Sequence, residues 1–341
     1  MEPDWKKIDR EVRWTGAGSS MSASEAAASE KRLLVEPDIL ELRIKLLGYY
    51  FLKALKSNVA RNSRYKHICW MIKNHPYHFV ASEPYISLDD SHYSEREFAE
   101  ARELWLEQIC MRPANSSIYG NFGLFIIDRD HNSGLKMLQL AHQLATEKNN
   151  WSSFIILFCS FQAKPGPLAK HRKKYAELAL TYAQAATDYD SEYLGNKIAA
   201  FEHLTKCALY LNKFELATEY AASYTATMKA WGHNNTAFQK NVLGIIAARQ
   251  GNVTVASSYL LDIHPGEEHY YQMFGLAQEL LSYNQHAMVA EFLRRTLKLS
   301  TLDDKEIKYW RYWLEQVEKG DSPLIGNCHI KPKTKKRSRR K

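Results

Sequence analysis

Apolar residues return every three or four positions along most of the chain. Phe201, Leu204, Ala208 and Leu211 fall on one face of a helix, and after Asn212 the pattern restarts with Phe214, Ala217, Ala221 and Tyr224. Asn accepts the left-handed conformation that ends a helix, and Lys213 suits the negative end of the helix dipole. Residues 201–224 therefore predict two short amphipathic helices joined by a tight turn at 211–213. Neither can bury its apolar face without neighbours.

The same pattern recurs on both sides. Ile39, Leu42, Leu46, Leu47, Tyr50 and Leu55 predict a helix over about 37–57, and Tyr65, Ile68, Cys69 and Ile72 predict a second, stopped by His75-Pro76. Residues 77–93 read as a long surface connection or a packed loop. Ser94 and Glu97 form a capping box ahead of Phe98, Ala101, Leu104, Trp105 and Ile109. A hairpin follows over 118–144, then an apolar helix over 151–161. Lys164-Pro165-Gly166-Pro167 is the clearest break, and a long helix is predicted over 168–187. Two further hairpins turn at Gly251-Asn252 and Asn284-Gln285, with Ala217, Ala256 and Ala290 spaced by 39 and 34 residues. A last helix starts at Asp303-Asp304, with Ile307, Trp310, Leu314 and Val317 inward.

The hairpin at 201–224 resembles a tetratricopeptide repeat. Phe201 takes the first aromatic place, Leu204 the Leu, Thr205 the Gly, Ala208 the Tyr and Ala217 the Ala. Thr205, Ala221 and Tyr224 depart from the consensus, so the repeat is a degenerate one. The resemblance implies an all-α, tetratricopeptide-like α-solenoid of antiparallel helix pairs, about fourteen helices in all. The expected organisation is a disordered segment over 1–30, which holds TGAGSSMSASEAAASE, then a helical repeat region over 31–163. Tetratricopeptide-like repeats with a capping helix follow over 164–319, and a disordered basic tail over 320–341.

Composition changes this picture at the tail. Of 46 Lys and Arg, eight lie in the last eleven residues, leaving 38 against 38 Asp and Glu, so the body is formally neutral. Lys331, Lys333, Lys335, Lys336, Arg337, Arg339, Arg340 and Lys341 are candidates for nonspecific contact with a nucleic acid or another polyanion. No apolar run approaches the roughly 20 residues of a membrane span, and the first residues carry no apolar signal-like run. The five cysteines are widely spaced without a CxxC, which predicts buried reduced thiols and a cytoplasmic location.

Candidate chemistry is thin. Asp128-Arg129-Asp130-His131-Asn132 imitates the opening of a calcium loop, but its sixth residue is Ser133 and its twelfth Gln139, which favours a helix–helix turn. His264 and His269 are separated by Pro265-Gly266, and His75 and His78 flank Pro76, so neither pair is set on one helical turn as a zinc motif would be. No phosphate loop or nucleophile elbow is present. The expectation is a non-catalytic interaction scaffold without cofactor or metal, binding a protein or peptide; the alternative is an RNA- or nucleic-acid-associated helical repeat protein that uses the basic tail. In the resembled class, first helices line a groove. That carry-over selects Glu202, Lys206 and Tyr210, then Asn241 and Arg249, then Gln272, Glu279 and Tyr283.

Overall fold

The computed structural model describes residues 13–145, 151–163, 172–187, 194–233, 236–263, 274–298 and 304–325. Among them the chain is all-α: seventeen α-helices, two short 3-10 turns and no strand. It divides into two compact units, Met1–Ile155 and Ile156–Lys341.

The first unit begins earlier than the sequence pattern suggests. Residues 13–19 form α1, and Ala23–Val35 form α2, so much of the small-residue run expected to lack structure is helical. Two physical causes account for this. Ser22 caps α2, its Oγ accepting from Glu25 N at 3.2 Å while Glu25 Oε2 accepts from Ser22 N at 2.7 Å. Small residues also let α1 cross closely over α3 (Leu40–Lys53): a Cβ on Gly18 would collide with the Lys45 backbone carbonyl, and one on Gly48 with that of Thr15. Alanine at 48 would gain about 1 kcal/mol of helix propensity. Because the obstacle is backbone rather than a mobile side-chain end, overpacking wins. Gly48→Ala is expected to destabilise by about 1–3 kcal/mol, read as a lower urea midpoint and earlier proteolysis within residues 13–35.

α4 (Asn58–Asn74) pairs with α3 and leads into residues 75–93, which are packed rather than spread on the surface. The 3-10 turns Phe79–Ser82 and Pro84–Ile86 put Val80, Ala81, Ile86, Leu88 and Tyr93 into one core with Ile44, Ile68, Trp105 and Phe122. Three side chains clamp this segment through its backbone. Arg64 donates to the carbonyls of Pro84, Tyr85 and Ser87 at 3.2, 3.0 and 2.9 Å. Asn121 donates to Pro76 O and His78 O, and Arg129 to Leu88 O and Tyr93 O. α5 (Glu95–Met111), α6 (Ser116–Ile126) and α7 (His131–Leu144) complete the set, and α8 (Trp151–Gln162) begins here. The Ser94–Glu97 capping box is present as expected.

The second unit holds α9 (Arg172–Thr181), α10 (Ala183–Thr187), α11 (Leu194–Tyr210), α12 (Phe214–Ala230), α13 (Ala237–Arg249), α14 (Val253–Asp262), α15 (Phe274–Ser282), α16 (His286–Thr296) and α17 (Asp304–Glu318). The helix expected over 168–187 is broken, within its described part, at Tyr182, whose N–H bonds back to Ala179 O, three residues away instead of four. Asn212, Gly251 and Asn284 each take positive φ, at 54°, 84° and 59°. Each closes its helix with the same pair of bonds, Lys213 N to Ala208 O and Asn212 N to Leu209 O in the first case. This is a Schellman cap. These anchors are 39 and 33 residues apart, so Val289, not Ala290, stands where Ala256 does.

Between hairpins, packing runs from neighbour to neighbour: α12 on α13, α13 on α15, and α14 on both α15 and α16. Asn241 and Gly244 make the α13–α15 contact close. Asn241 Oδ1 accepts from Leu276 N at 2.9 Å, satisfying an N–H in the first turn of α15, while Gly244 leaves room for the Leu276 side chain. α17 covers α15 and α16 through Trp310 and Trp313. Gly320–Ile325, expected to be disordered, returns to α15: Ile325 is buried, and its N–H donates to Gln278 Oε1 at 3.0 Å.

Candidate interaction surface

The caps align the ends of α11, α13 and α15, and Arg249 joins all three. Its guanidinium makes two 3.0 Å bonds to the Glu279 carboxylate, and Nη1 donates to Leu209 O at 2.6 Å and to Asn212 Oδ1 at 3.4 Å. A cation against the last carbonyls of α11 also complements the helix dipole. One turn along, Lys206 pairs with Glu202 on α11. The charges of this row are thus used internally. Tyr210 and Tyr283 remain 39% and 36% exposed at its two sides.

Of the residues selected from sequence, Arg249 is thus joined to Glu279 and Lys206 to Glu202, while Tyr210 and Tyr283 lie at the ends of α11 and α15. Asn241 does not line a groove: it is 5% exposed and serves as an internal cap, because its amide is drawn to the N–H groups that α15 leaves unpaired. Gln272 and the basic residues from Lys331 to Lys341 lie outside the described residues. Two tyrosines beside self-neutralised ion pairs offer ring faces and hydroxyls to a partner of mixed polarity.

The other chemical candidates resolve into local structure. Asp130 caps α7, its Oδ1 accepting from Ser133 N at 3.0 Å, so the calcium-like string is a helix start. His78 Nδ1 accepts from Val80 N, and the His75 ring packs on Trp70. His264 and His269 lie outside the described residues. Burial pushes the Cys159 and Cys207 thiols up to about 12, which keeps them protonated. Cys110 is exposed, against the expectation of burial, and Cys328 is not among the described residues.

Two features of the first unit escaped the sequence reading because they join distant positions. His67 is buried between Glu30 and Arg43: its Nε2 donates to Glu30 Oε1 at 2.9 Å, and its Nδ1 accepts from Arg43 at 3.2 Å. That arrangement fixes the proton on Nε2. Burial alone would raise the Glu30 carboxyl, but the bond from His67 holds it below its ordinary value. Separately, a hollow of about 200 Å³ lies between the 3-10 turns and the end of α6, walled by Ile86 and Phe125 and bearing Glu83 and Asp128.

Burial pushes the Glu83 carboxyl up. A carboxyl raised on folding adds least stability where it is ionised, so its penalty is absent in acid and appears as pH rises through the raised value. Glu83→Gln is accordingly expected to raise the melting temperature at pH 7 and leave it unchanged at pH 4, measured by differential scanning calorimetry.

Among the described residues no group of three or more His, Cys, Asp and Glu is placed to hold a metal, and no helix is long and apolar enough to cross a membrane. No known family profile matches the chain, and no curated protein matches it in sequence.

Proposed function

We propose that the second unit is a tetratricopeptide-like α-solenoid and that the protein is a non-catalytic interaction scaffold. The repeated Schellman turns and the neighbour-to-neighbour packing support the solenoid reading, since the hairpins bury their apolar faces against the ones before and after them. The observation that carries the function is the row at the ends of α11, α13 and α15. Arg249 ties three first helices together while Tyr210 and Tyr283 stay exposed beside it. Tyrosine supplies large, amphipathic contact area at low side-chain entropy cost.

Reversing the charge of Arg249 would break the joint as well as any contact, so it does not test recognition. The test is the double variant Tyr210→Ser, Tyr283→Ser, compared with the native chain in affinity capture followed by quantitative mass spectrometry. Partners captured by the native chain are expected to be lost from the variant at unchanged helicity. Equal capture by both would overturn the reading.

A further inference from the structure

The α3–α4 hairpin is charged in a way that the formal neutrality of the body conceals. From residue 42 to residue 82 there is no Asp or Glu, while Arg43, Lys45, Lys53, Lys56, Arg61, Arg64, Lys66 and Lys73 fall in that window. Internal partners absorb three of these cations: Arg43 on Pro37 O and His67, Lys45 on Glu41, and Arg64 on the carbonyls of residues 84–87. Lys53 and Lys56 pair with no carboxylate among the described residues. They stand where α3 ends and α4 begins, and Lys53 Nζ rests 3.5 Å from the centre of the Tyr49 ring. The first turn of α4 adds the positive end of its dipole and contains no acid.

The same end of the hairpin is apolar. Leu52 and Val59 are 65% and 77% exposed, and Leu55 is exposed beside them. Leu52 and Val59, with Tyr49, Tyr50, Lys53 and Lys56, line a hollow of about 450 Å³ that has no acidic lining, within the roughly 300–1,000 Å³ of ligand-sized pockets; Leu55 stands outside it. Exposed aliphatic side chains around a tyrosine-walled hollow, ringed by unpaired lysines, call for an occupant that brings an apolar knob and flanking carboxylates together.

We infer that the α3–α4 end of the first unit docks an acidic amphipathic helix of a partner protein. An apolar side chain of that helix enters the hollow between Tyr49 and Val59, its neighbours one turn away cover Leu52 and Leu55, and its carboxylates meet Lys53 and Lys56. The concave shape favours a helix over an anionic bilayer, which has no knob to fill it. The aliphatic rim favours it over RNA, whose phosphates would leave Leu52, Leu55 and Val59 wet. This site is built from residues separate from the tyrosine row and does not rest on the reading given to that row.

The test uses a fluorescein-labelled synthetic peptide with leucines at helical spacing (i, i+3, i+7) and glutamates between them, read by anisotropy against the full chain. Its scrambled isomer, phosphatidylserine vesicles and a single-stranded RNA oligomer form the comparison arms. The helical peptide is expected to bind at least about tenfold more tightly than its isomer. Lys53→Glu with Lys56→Glu should weaken it about tenfold and flatten its salt dependence. Val59→Ser, at an exposed position that does not threaten folding, should weaken it several-fold with the salt dependence kept, and Tyr210→Ser with Tyr283→Ser should leave it unchanged. Equal binding of the isomer, insensitivity to both surface variants, or binding of vesicles or RNA but not of the peptide would each overturn the inference.

Discussion

Arg64→Ala is expected to unfold the first unit at a markedly lower urea concentration, with a loss of about 3–5 kcal/mol. Arg64 is 3% exposed. It donates at 2.8 Å to the Tyr93 hydroxyl and holds three carbonyls of the segment 84–87. Its guanidinium also lies over Phe51 and Tyr93. Truncation removes the donor and leaves the acceptors facing a new cavity, and each buried acceptor without a partner costs about 1–3 kcal/mol. Partial access of water to the carbonyls keeps the total below the simple sum. Against a whole-domain stability of about 5–15 kcal/mol, such a loss is severe.

Arg64→Lys is expected to fall between the native chain and Arg64→Ala. Its three donors sit on one atom and cannot span the fork-shaped set of acceptors. Hydrogen exchange should locate the damage: amides of residues 84–93 exchange faster in both variants, and those of α7 do not. A loss below about 1 kcal/mol for Arg64→Ala would show that the segment is held without Arg64.

Trp310→Ala is expected to cost the second unit about 3–5 kcal/mol, the usual range for a fully buried large aromatic residue. The ring is 2% exposed, with its centroid 5.3 Å from that of Phe274, 5.7 Å from Trp313 and 6.2 Å from Phe292. It therefore joins α17 to α15 and α16 at once. Arg294 and Glu318 also pair α16 with α17 at 2.8 Å, and both members are about half exposed. A pair in that position contributes at most about 1 kcal/mol and cannot replace the lost packing. Urea titration by circular dichroism should show α17 melting ahead of α11–α14. A single transition at the native midpoint would contradict the role assigned to Trp310.

Much of this fold was legible because its signals are local. The Ser94–Glu97 capping box and the turns at Asn212, Gly251 and Asn284 are written in a few adjacent residues, and the structure uses each of them. The inward set of α17 was legible in part: Trp310 and Val317 are buried, while Ile307 and Leu314 are half-buried and Trp313 is buried in addition. What failed was long-range. The small-residue run before residue 30 looked structureless although Ser22 and Glu25 spell a capping box, because its other stabilising feature is a close approach to the backbone of α3, which no periodicity in the run itself announces. For residues 77–93 the sequence left a surface connection and a packed loop both open, because the backbone partners of the segment, Arg64, Asn121 and Arg129, come from α4, α6 and the turn beyond α6.

The candidate surface shows the same division. The resemblance selected Lys206, Tyr210, Arg249, Glu279 and Tyr283, and of these the structure joins Arg249 to Glu279. The sequence did not show that Arg249 would be spent on Glu279 and on the end of α11, nor that Asn241 would turn inward to cap α15. The basic stretch of α3–α4, by contrast, was open to a plain count of charges. It was masked because the tail dominated the total.

The measurement that bears most directly on the scaffold reading is site-specific photo-crosslinking. Tyr210→p-benzoylphenylalanine and Tyr283→p-benzoylphenylalanine would be compared in cells with the same replacement at Val255, an exposed position on α14, outside α11, α13 and α15. The account predicts that positions 210 and 283 trap a common partner and position 255 does not. Crosslinks equal at all three positions, or none from 210 and 283, would contradict it.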